Sequence, residues 1–471
     1  MKKPLCALLG LFLALVFGIA AAGPIEDLQP GHWAAISLNT VQSLDPCPGR
    51  TCPYSLNEGQ SGVMNDWCGG AFATGFGSMG GLVVWGGGHN GYGGNELYVF
   101  NLATRLWERY TEPSNYSASS CNGSTGAYPD GAPCPPHTYA YLGYQPKTNS
   151  FVTLSVTPNP VGYNCLNIPY LFSFGTKKWK AGAQRNFGTG GDCTGASSAY
   201  DPTRDVFWMV PSYGSNFCKY DPNANTWTNY GSYDPGWAVP AVDPILDLFV
   251  TPAGGGVNAV KVKDLSNPSA AAVTVTTIGD QTLLNAGYKG FDWDPVSGKF
   301  VGWVSGGDVY TLTLPATNWR TAAWVWEKIS PAPDNTVTPT APNSNGTYGR
   351  WRYAPNVNAF VVVNKTTDAV YMYKLTGGLE AEARARALRR DAIKVNPNPF
   401  GRRTTIVLPE GIGSSWTAGI YNARGMAVRE WAGPAANRSS LVFEPSGNSA
   451  GVYFIRIVCN GRTYSKRLVR L

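Results

Sequence analysis

The chain has 471 residues, 13% of them aromatic and only 14% charged, with 56 Gly and 35 Pro; this excludes a helical or low-complexity protein and describes a turn-rich all-β chain long enough for a large core and more than one domain. The formal charge of +7 is unevenly spread: 15 basic and 6 acidic residues follow from Glu380 onward, whereas residues 4–379 hold 20 basic and 24 acidic ones. A weakly acidic body excludes the electrostatic footprint of nucleic-acid binding and assigns the basic character to the tail.

At the N-terminus, Lys2 and Lys3 precede an apolar run from Pro4 to Ile19 that ends in Ala20, Ala21 and Ala22. Residues 1–22 read as a secretory signal peptide, because no charged stop-transfer flank follows. No other stretch is apolar enough to span a bilayer, so the expected location is secreted or attached to the outer cell surface. Apart from Cys6, eight cysteines lie in the body (Cys47, Cys52, Cys68, Cys121, Cys134, Cys165, Cys193, Cys218) and one, Cys459, in the tail. An even set on an exported chain reads as disulfides. Cys121 with Cys134 is the first expected pair, since it would staple a Ser/Gly/Pro-rich insertion and contribute roughly 3 kcal/mol. A cysteine-based zinc site lacks the CxxC spacing such sites use.

Residues 85–107 read WGGGHNGYGGNELYVFNLATRLW. Leu82–Trp85, 96–102 and 107–110 alternate as three strands, and the glycines between them permit positive φ and close backbone approach. The GGG, then E-x-Y-x-F, then Trp pattern resembles the kelch repeat. That resemblance implies one blade of a β-propeller. An apolar strand, a turn of the type YxPxTN or YDPxxD, a second strand and a closing Trp then recur every ~40–50 residues, the range of propeller blades. The units are 67–110, 137–183 with "YQPKTNSFVTL", 195–230 with "YDPTRDVFWMV", a degenerate 237–278 with "VDPILDLFV", 286–329 with "WDPVSGKFVGW", and 345–375 with "YAPNVNAFVVVN". The last lacks a closing Trp strand, and "GHWAAI" at 31–36 has the matching pattern. An N-terminal strand completing the last blade would remove two sheet edges. The expectation is a six-bladed kelch-like propeller over residues 23–378, with seven blades as the alternative if 39–66 or the fourth unit conceals another.

Residues 379–392, which contain "LEAEARARALRRD", read as a helical or flexible linker. Residues 393–471 then show alternating strands with Gly-containing turns and are expected to form a small β-sandwich. The Pro397–Phe400 "PNPF" opening, "IYNARG" at 420–425, "GVYFIRI" from Gly451 and the basic terminal strand occur in order. This region resembles the C-terminal sorting domain of the type IX secretion system. The resemblance implies export across an outer membrane with that machinery as partner.

Outside the leader there are three histidines, His32, His89 and His137. His89 follows the second strand of one blade and His137 opens the first strand of the next, so antiparallel pairing sets both at one mouth of the central channel. Trp67, Asn95, Tyr139, Tyr288, Lys289, Arg350 and Arg352 fall at or near strand starts on the same rim and are candidate substrate-binding residues. "GGGH" followed a blade later by "HTY" is similar to propeller polysaccharide lyases of the ulvan-lyase type. That likeness implies His89, His137 and Tyr139 as catalytic residues; its departure is the absence of a matching Tyr-then-Arg pair in the third unit. Such a group would take the proton α to a uronate carboxylate while a cation neutralises the carboxylate. Trp67, Trp237 and Trp351 are candidates for stacking on sugar rings.

No cofactor is expected. Copper-radical chemistry of the galactose-oxidase kind needs two His and two Tyr ligands with a Tyr–Cys bond, for which the cysteines look committed elsewhere. A zinc or calcium site at His89, His137 and Glu96 is weighed against Glu96 as a solvated strand residue. The function expected is recognition of extracellular polysaccharide at the channel rim, extending to β-elimination of a uronate-containing polymer. A non-enzymatic adhesin or protein-interaction propeller is the alternative.

Overall fold

The structure, a computed structural model, describes residues 25–471 apart from 163, 188–192, 212–215, 234–236, 255–256, 288, 316–317, 378–392, 409–414, 424, 435–439, 446–449 and 460–461. The signal peptide and the linker expected from the sequence lie outside the described residues. The rest is all-β, and no described helix is long and apolar enough to cross a membrane.

Residues 25–377 build six sheets in chain order, antiparallel but for one edge strand of the fifth. The first is Gly70–Ala73, Gly81–Val84, Tyr98–Asn101 and Leu106–Arg109. The next three begin at Leu142–Gln145, Ser197–Asp201 and Ala241–Asp243, and each has four strands. The fifth begins at Gly290–Asp294 and gains Thr277–Gly279 as a parallel edge strand beside Trp324–Ile329. The degenerate fourth unit therefore makes one full sheet and ends at Val273–Val275, earlier than its expected limit. The sixth sheet joins Arg352–Ala354, Ala359–Val362 and Tyr371–Tyr373 to Trp33–Ala35, so the N-terminal segment supplies its missing strand. Only short helical turns lie between Ala35 and Gly70. The first strand of each sheet neighbours the first strand of the next, and Arg352–Ala354 in turn neighbours Gly70–Ala73.

The repeated turn has a local cause. Tyr144, Tyr200, Tyr220 and Tyr353 each donate their hydroxyl to an Asx side chain five residues on: Asn149, Asp205, Asn225 and Asn358, at 2.8–2.9 Å. Each of those acceptors is left-handed, with φ between 49° and 57°, a conformation that Asn and Asp tolerate best after Gly. Pro at the second position pre-sets the turn. In the fourth sheet Val242 replaces the Tyr, and in the fifth Gly298 replaces the Asx, so those turns lack the clamp. The closing Trp is equally regular: Trp107, Trp179 and Trp227 lie opposite Phe100, Phe172 and Tyr220, and Trp33 lies opposite Tyr373.

The tail forms a three-stranded sheet, Lys394–Asn396, Thr404–Val407 and Ser440–Phe443, and a four-stranded sheet ordered Ala427–Pro434, Ser415–Asn422, Gly451–Cys459 and Arg462–Arg470. They share one core that includes Phe400, Ile406, Trp416, Phe443, Ile455 and Leu468. The PNPF motif is a clasp on the last strand. Asn398 Nδ2 donates to Arg467 O at 3.0 Å and its Oδ1 accepts from Val469 N at 2.8 Å, while Phe400 exchanges backbone bonds with Val469 and Leu471 at 2.9 Å.

Six of the eight body cysteines pair, as Cys47–Cys52, Cys121–Cys134 and Cys165–Cys193. The expected Cys121–Cys134 bond is present. Cys68 and Cys218 correct the expectation of a fully paired set: both are completely buried thiols, pushed up to about 12 by desolvation. They behave as small apolar residues.

Candidate functional site

The GGGH loop has its shape because another segment lies directly on it. A Cβ on Gly88 would sit 2.0 Å from the Pro135 carbonyl oxygen, and one on Gly86 would sit 2.6 Å from Cys68 Sγ. Gly86 and Gly87 have φ of 136° and 117°, which only glycine adopts readily. Gly87 N donates to Pro136 O at 3.2 Å, and Asn90 N donates to Pro160 O at 2.7 Å. The glycines thus let the Pro135–Pro136 backbone approach, and His137, the next residue, arrives beside His89.

The two imidazoles meet through Nδ1 atoms 3.3 Å apart. Two facing lone pairs repel, so the contact holds one proton between them, carried on Nδ1 of one ring. His137 is 6% exposed, stacks on Trp67 with ring centroids 5.1 Å apart, and lies 5.9 Å from the Tyr139 ring. Burial, with a smaller contribution from His89, pushes the His137 imidazole down to about 3. Partial burial also lowers His89. Burial therefore disfavours the protonated form of both rings, His137 most strongly.

Tyr139 extends the group, with its ring 5.2 Å from Trp237 and 5.8 Å from Tyr348. These residues share a backbone feature. Trp67, Tyr139, Trp237 and Tyr348 each precede the first strand of a sheet with φ of 49°, 39°, 61° and 46°, and His89 has φ of 61°. Gly195 takes the same place in the third sheet at 70°. Bulky side chains held there cost about 1–3 kcal/mol each and persist only where surrounding structure enforces them. The enforcement is visible: Tyr139 N donates to Trp67 O and Trp237 N to Gly195 O, at 2.7 and 2.8 Å, tying neighbouring sheet entries together.

Other residues expected on the rim have different places. Asn95 is 2% exposed and binds Ser114 Oγ, Ser114 N and Pro133 O, fastening the insertion to the first sheet. Arg350 is fully buried and donates to Val363 O, Gly346 O and Cys68 O. Arg352 donates to Gly70 O and Gly349 O and lies 3.9 Å from Asp292. Both arginines therefore join the sixth sheet to the first, and Arg350 has every guanidinium nitrogen committed to backbone carbonyls. Lys289 is 5% exposed, with burial lowering it to about 8. Tyr288 lies outside the described residues. Trp351 is fully buried between Trp303 and Phe360, which corrects its placement as a sugar-stacking residue, whereas Trp67 and Trp237 are partly exposed.

Glu96 is also corrected. It is 1% exposed and accepts hydroxyl bonds from Tyr92 and Tyr98, both 2.7 Å, so it is neither solvated nor turned to the histidines. Among the described residues no three or more metal-ligating side chains converge.

Two contributors were missed. Asp66, directly before Trp67, is 8% exposed and its carboxyl is pushed up to about 8 by burial and Glu58. It packs against Gly91 of the His89 loop, where a Cβ would come within 1.6 Å of Oδ2. Tyr348 was legible in retrospect: Thr347–Tyr348–Gly349 repeats the Thr138–Tyr139–Ala140 pattern ahead of a first strand.

No family model and no curated protein matches the sequence. Among solved structures, a Bacteroides thetaiotaomicron protein of unknown function is 12% identical over 73% of this chain and 75% of its own, with a TM-score of 0.39. The extracellular domain of a candidate one-component system from the same organism is 10% identical over 83% of this chain and 49% of its own, with a TM-score of 0.28. Likenesses this distant carry no functional argument.

Proposed function

We propose that the six sheets are the blades of a kelch-like β-propeller, exported by type IX secretion through its C-terminal sandwich, that binds extracellular polysaccharide at the His89–His137 mouth. The neighbouring first strands, running from sheet to sheet and back to the first, support the propeller reading. The disulfides support an oxidising destination. One observation carries the binding reading: a histidine pair set among partly exposed indoles and a tyrosine, with Trp67, His89, Tyr139 and Trp237 all on left-handed backbone. Sugar rings take this combination of apolar faces and uncharged hydrogen-bonding groups.

A second reading, β-elimination from a uronate polymer, is favoured by the unprotonated pair beside Tyr139, since a neutral imidazole can accept the α-proton as the leaving oxygen departs. Arg350, bonded through Nε, Nη1 and Nη2, does not supply the cation that would neutralise the carboxylate, and Arg352 is already engaged with Gly70 O, Gly349 O and the Asp292 carboxylate. Recognition therefore takes precedence over cleavage. The purified chain should bind at least one polysaccharide in a panel of neutral and uronate-containing polymers, and His137→Ala should weaken that binding. Unsaturated uronate absorbance, lost in the same variant, would add the elimination step. Silence in both assays would favour a protein-interaction propeller.

A further inference from the structure

We propose that the Cys121–Cys134 disulfide holds the His89–His137 pair together, so that the mouth is assembled in the oxidised chain and comes apart on reduction. The proposal rests on the reading of this pair as the working centre of the mouth.

Cys134, Pro135, Pro136 and His137 are consecutive, and the two prolines are the residues the glycine loop packs on. On its N-terminal side this run is tied non-covalently by Asn95, which donates to Pro133 O, and by the backbone bonds of Cys134 to Gly126 and Thr157. The insertion from Ser114 to Pro133 contains one short helical turn, Ala118–Ser120, and a single bridge between Ala127 and Pro133. Its other ties are isolated bonds, such as Tyr128 OH to Gly93 O at 2.8 Å and Cys134 N to Gly126 O at 2.8 Å. The disulfide is the covalent restraint, three residues from His137. On the other flank, Tyr141 OH donates to His137 O at 2.6 Å and lies 3.8 Å from Sγ of Cys193, itself bonded to Cys165. His137 thus sits between two cross-links. The left-handed turn at His89 is unfavourable by itself and depends on the proline segment remaining in place.

Release is a two-electron thiol–disulfide exchange. A dithiol breaks the Sγ–Sγ bond and leaves thiols on Cys121 and Cys134, while the dithiol becomes a cyclic disulfide. Cys134 is fully buried, whereas Cys121 is partly exposed and offers the sulfur for attack.

The experiment needs no sugar. The chain's three histidines lie at 32, 89 and 137, so carbethoxylation by diethyl pyrocarbonate, mapped by peptide mass, reports each one. In the oxidised chain His137 should react slowly and His32, far in sequence, should serve as an internal reference. In Cys121→Ser/Cys134→Ser the His137 rate should rise roughly tenfold through local opening, with His32 unchanged. If that variant does not fold, the folded wild-type chain treated with dithiothreitol gives the same readout, with released thiols counted. Unchanged protection of His137 after loss of the bond would overturn the proposal, as would a bond that the dithiol does not reduce in the folded chain. A chain that shows the change but binds no polysaccharide keeps this proposal and removes the carbohydrate reading.

Discussion

The two ends of the body strands follow opposite rules. At one end the hairpins repeat: Tyr, Pro and a left-handed Asx or Gly recur, and each Tyr hydroxyl meets its Asx at nearly the same distance. At the other, left-handed backbone is carried by Trp67, His89, Tyr139, Trp237 and Tyr348, residue types for which it is costly. The first end uses mostly side chains suited to the conformation, with Arg105 and Lys177 as exceptions in turns. The second keeps unsuited side chains in place by packing neighbouring segments against them, and there the buried carboxyl, the neutral imidazoles and the thiol of Cys68 collect. Strain and desolvation concentrated at one end of an otherwise regular body distinguish a site from its scaffold.

That contrast can be broken by substitution. Arg350→Ala should have the largest effect, about 3–5 kcal/mol or failure to fold, because it leaves three buried carbonyl acceptors and a cavity where the sixth sheet meets the first; urea unfolding would measure it. A penalty below about 1 kcal/mol would mean those carbonyls find other donors.

The pH dependence tests the mouth directly. His137 folds with its pKa lowered to about 3 from 6.5, so the unfolded chain binds more protons in that window and stability should fall, by a few kcal/mol, as pH drops through it. Asp66 acts in the opposite sense: raised to about 8 from 3.8, it should cost stability as pH rises through that range. His137→Asn should remove the loss of stability below about pH 6.5 and Asp66→Asn the loss that builds from about pH 4 to 8, read as unfolding midpoints across pH.

Gly88→Ala places a methyl against the Pro135 carbonyl and should cost about 2–3 kcal/mol by overpacking, with loss of polysaccharide binding. At the hairpin end, Tyr144→Phe removes the hydroxyl's bond to Asn149 and the one it accepts from Gly75 N and should cost about 1–2 kcal/mol while leaving binding intact. The smallest effect is expected at Arg105, a left-handed turn residue with φ of 58°: Arg105→Gly should change stability by less than about 1 kcal/mol, in the favourable direction. A Tyr144→Phe variant that lost binding would erase the distinction between the two ends.

By itself the sequence determined what depends on local rules. Turn chemistry, period-2 alternation and the closing Trp are set by residues within a few positions of one another, and they located the repeated sheets, the N-terminal strand completing the last of them and the strands of the tail. The His89–His137 meeting was also legible, since antiparallel pairing brings those strand ends to one edge. Tertiary structure decided the state of each side chain. Asn95, Glu96, Arg350 and Trp351 look like rim residues from their positions, yet packing from other sheets buries them and uses their polar atoms internally. Cys68 and Cys218 stay thiols because each is fully buried without a partner sulfur. Burial and desolvation are sums over neighbours distant in the chain, and no local pattern carries them.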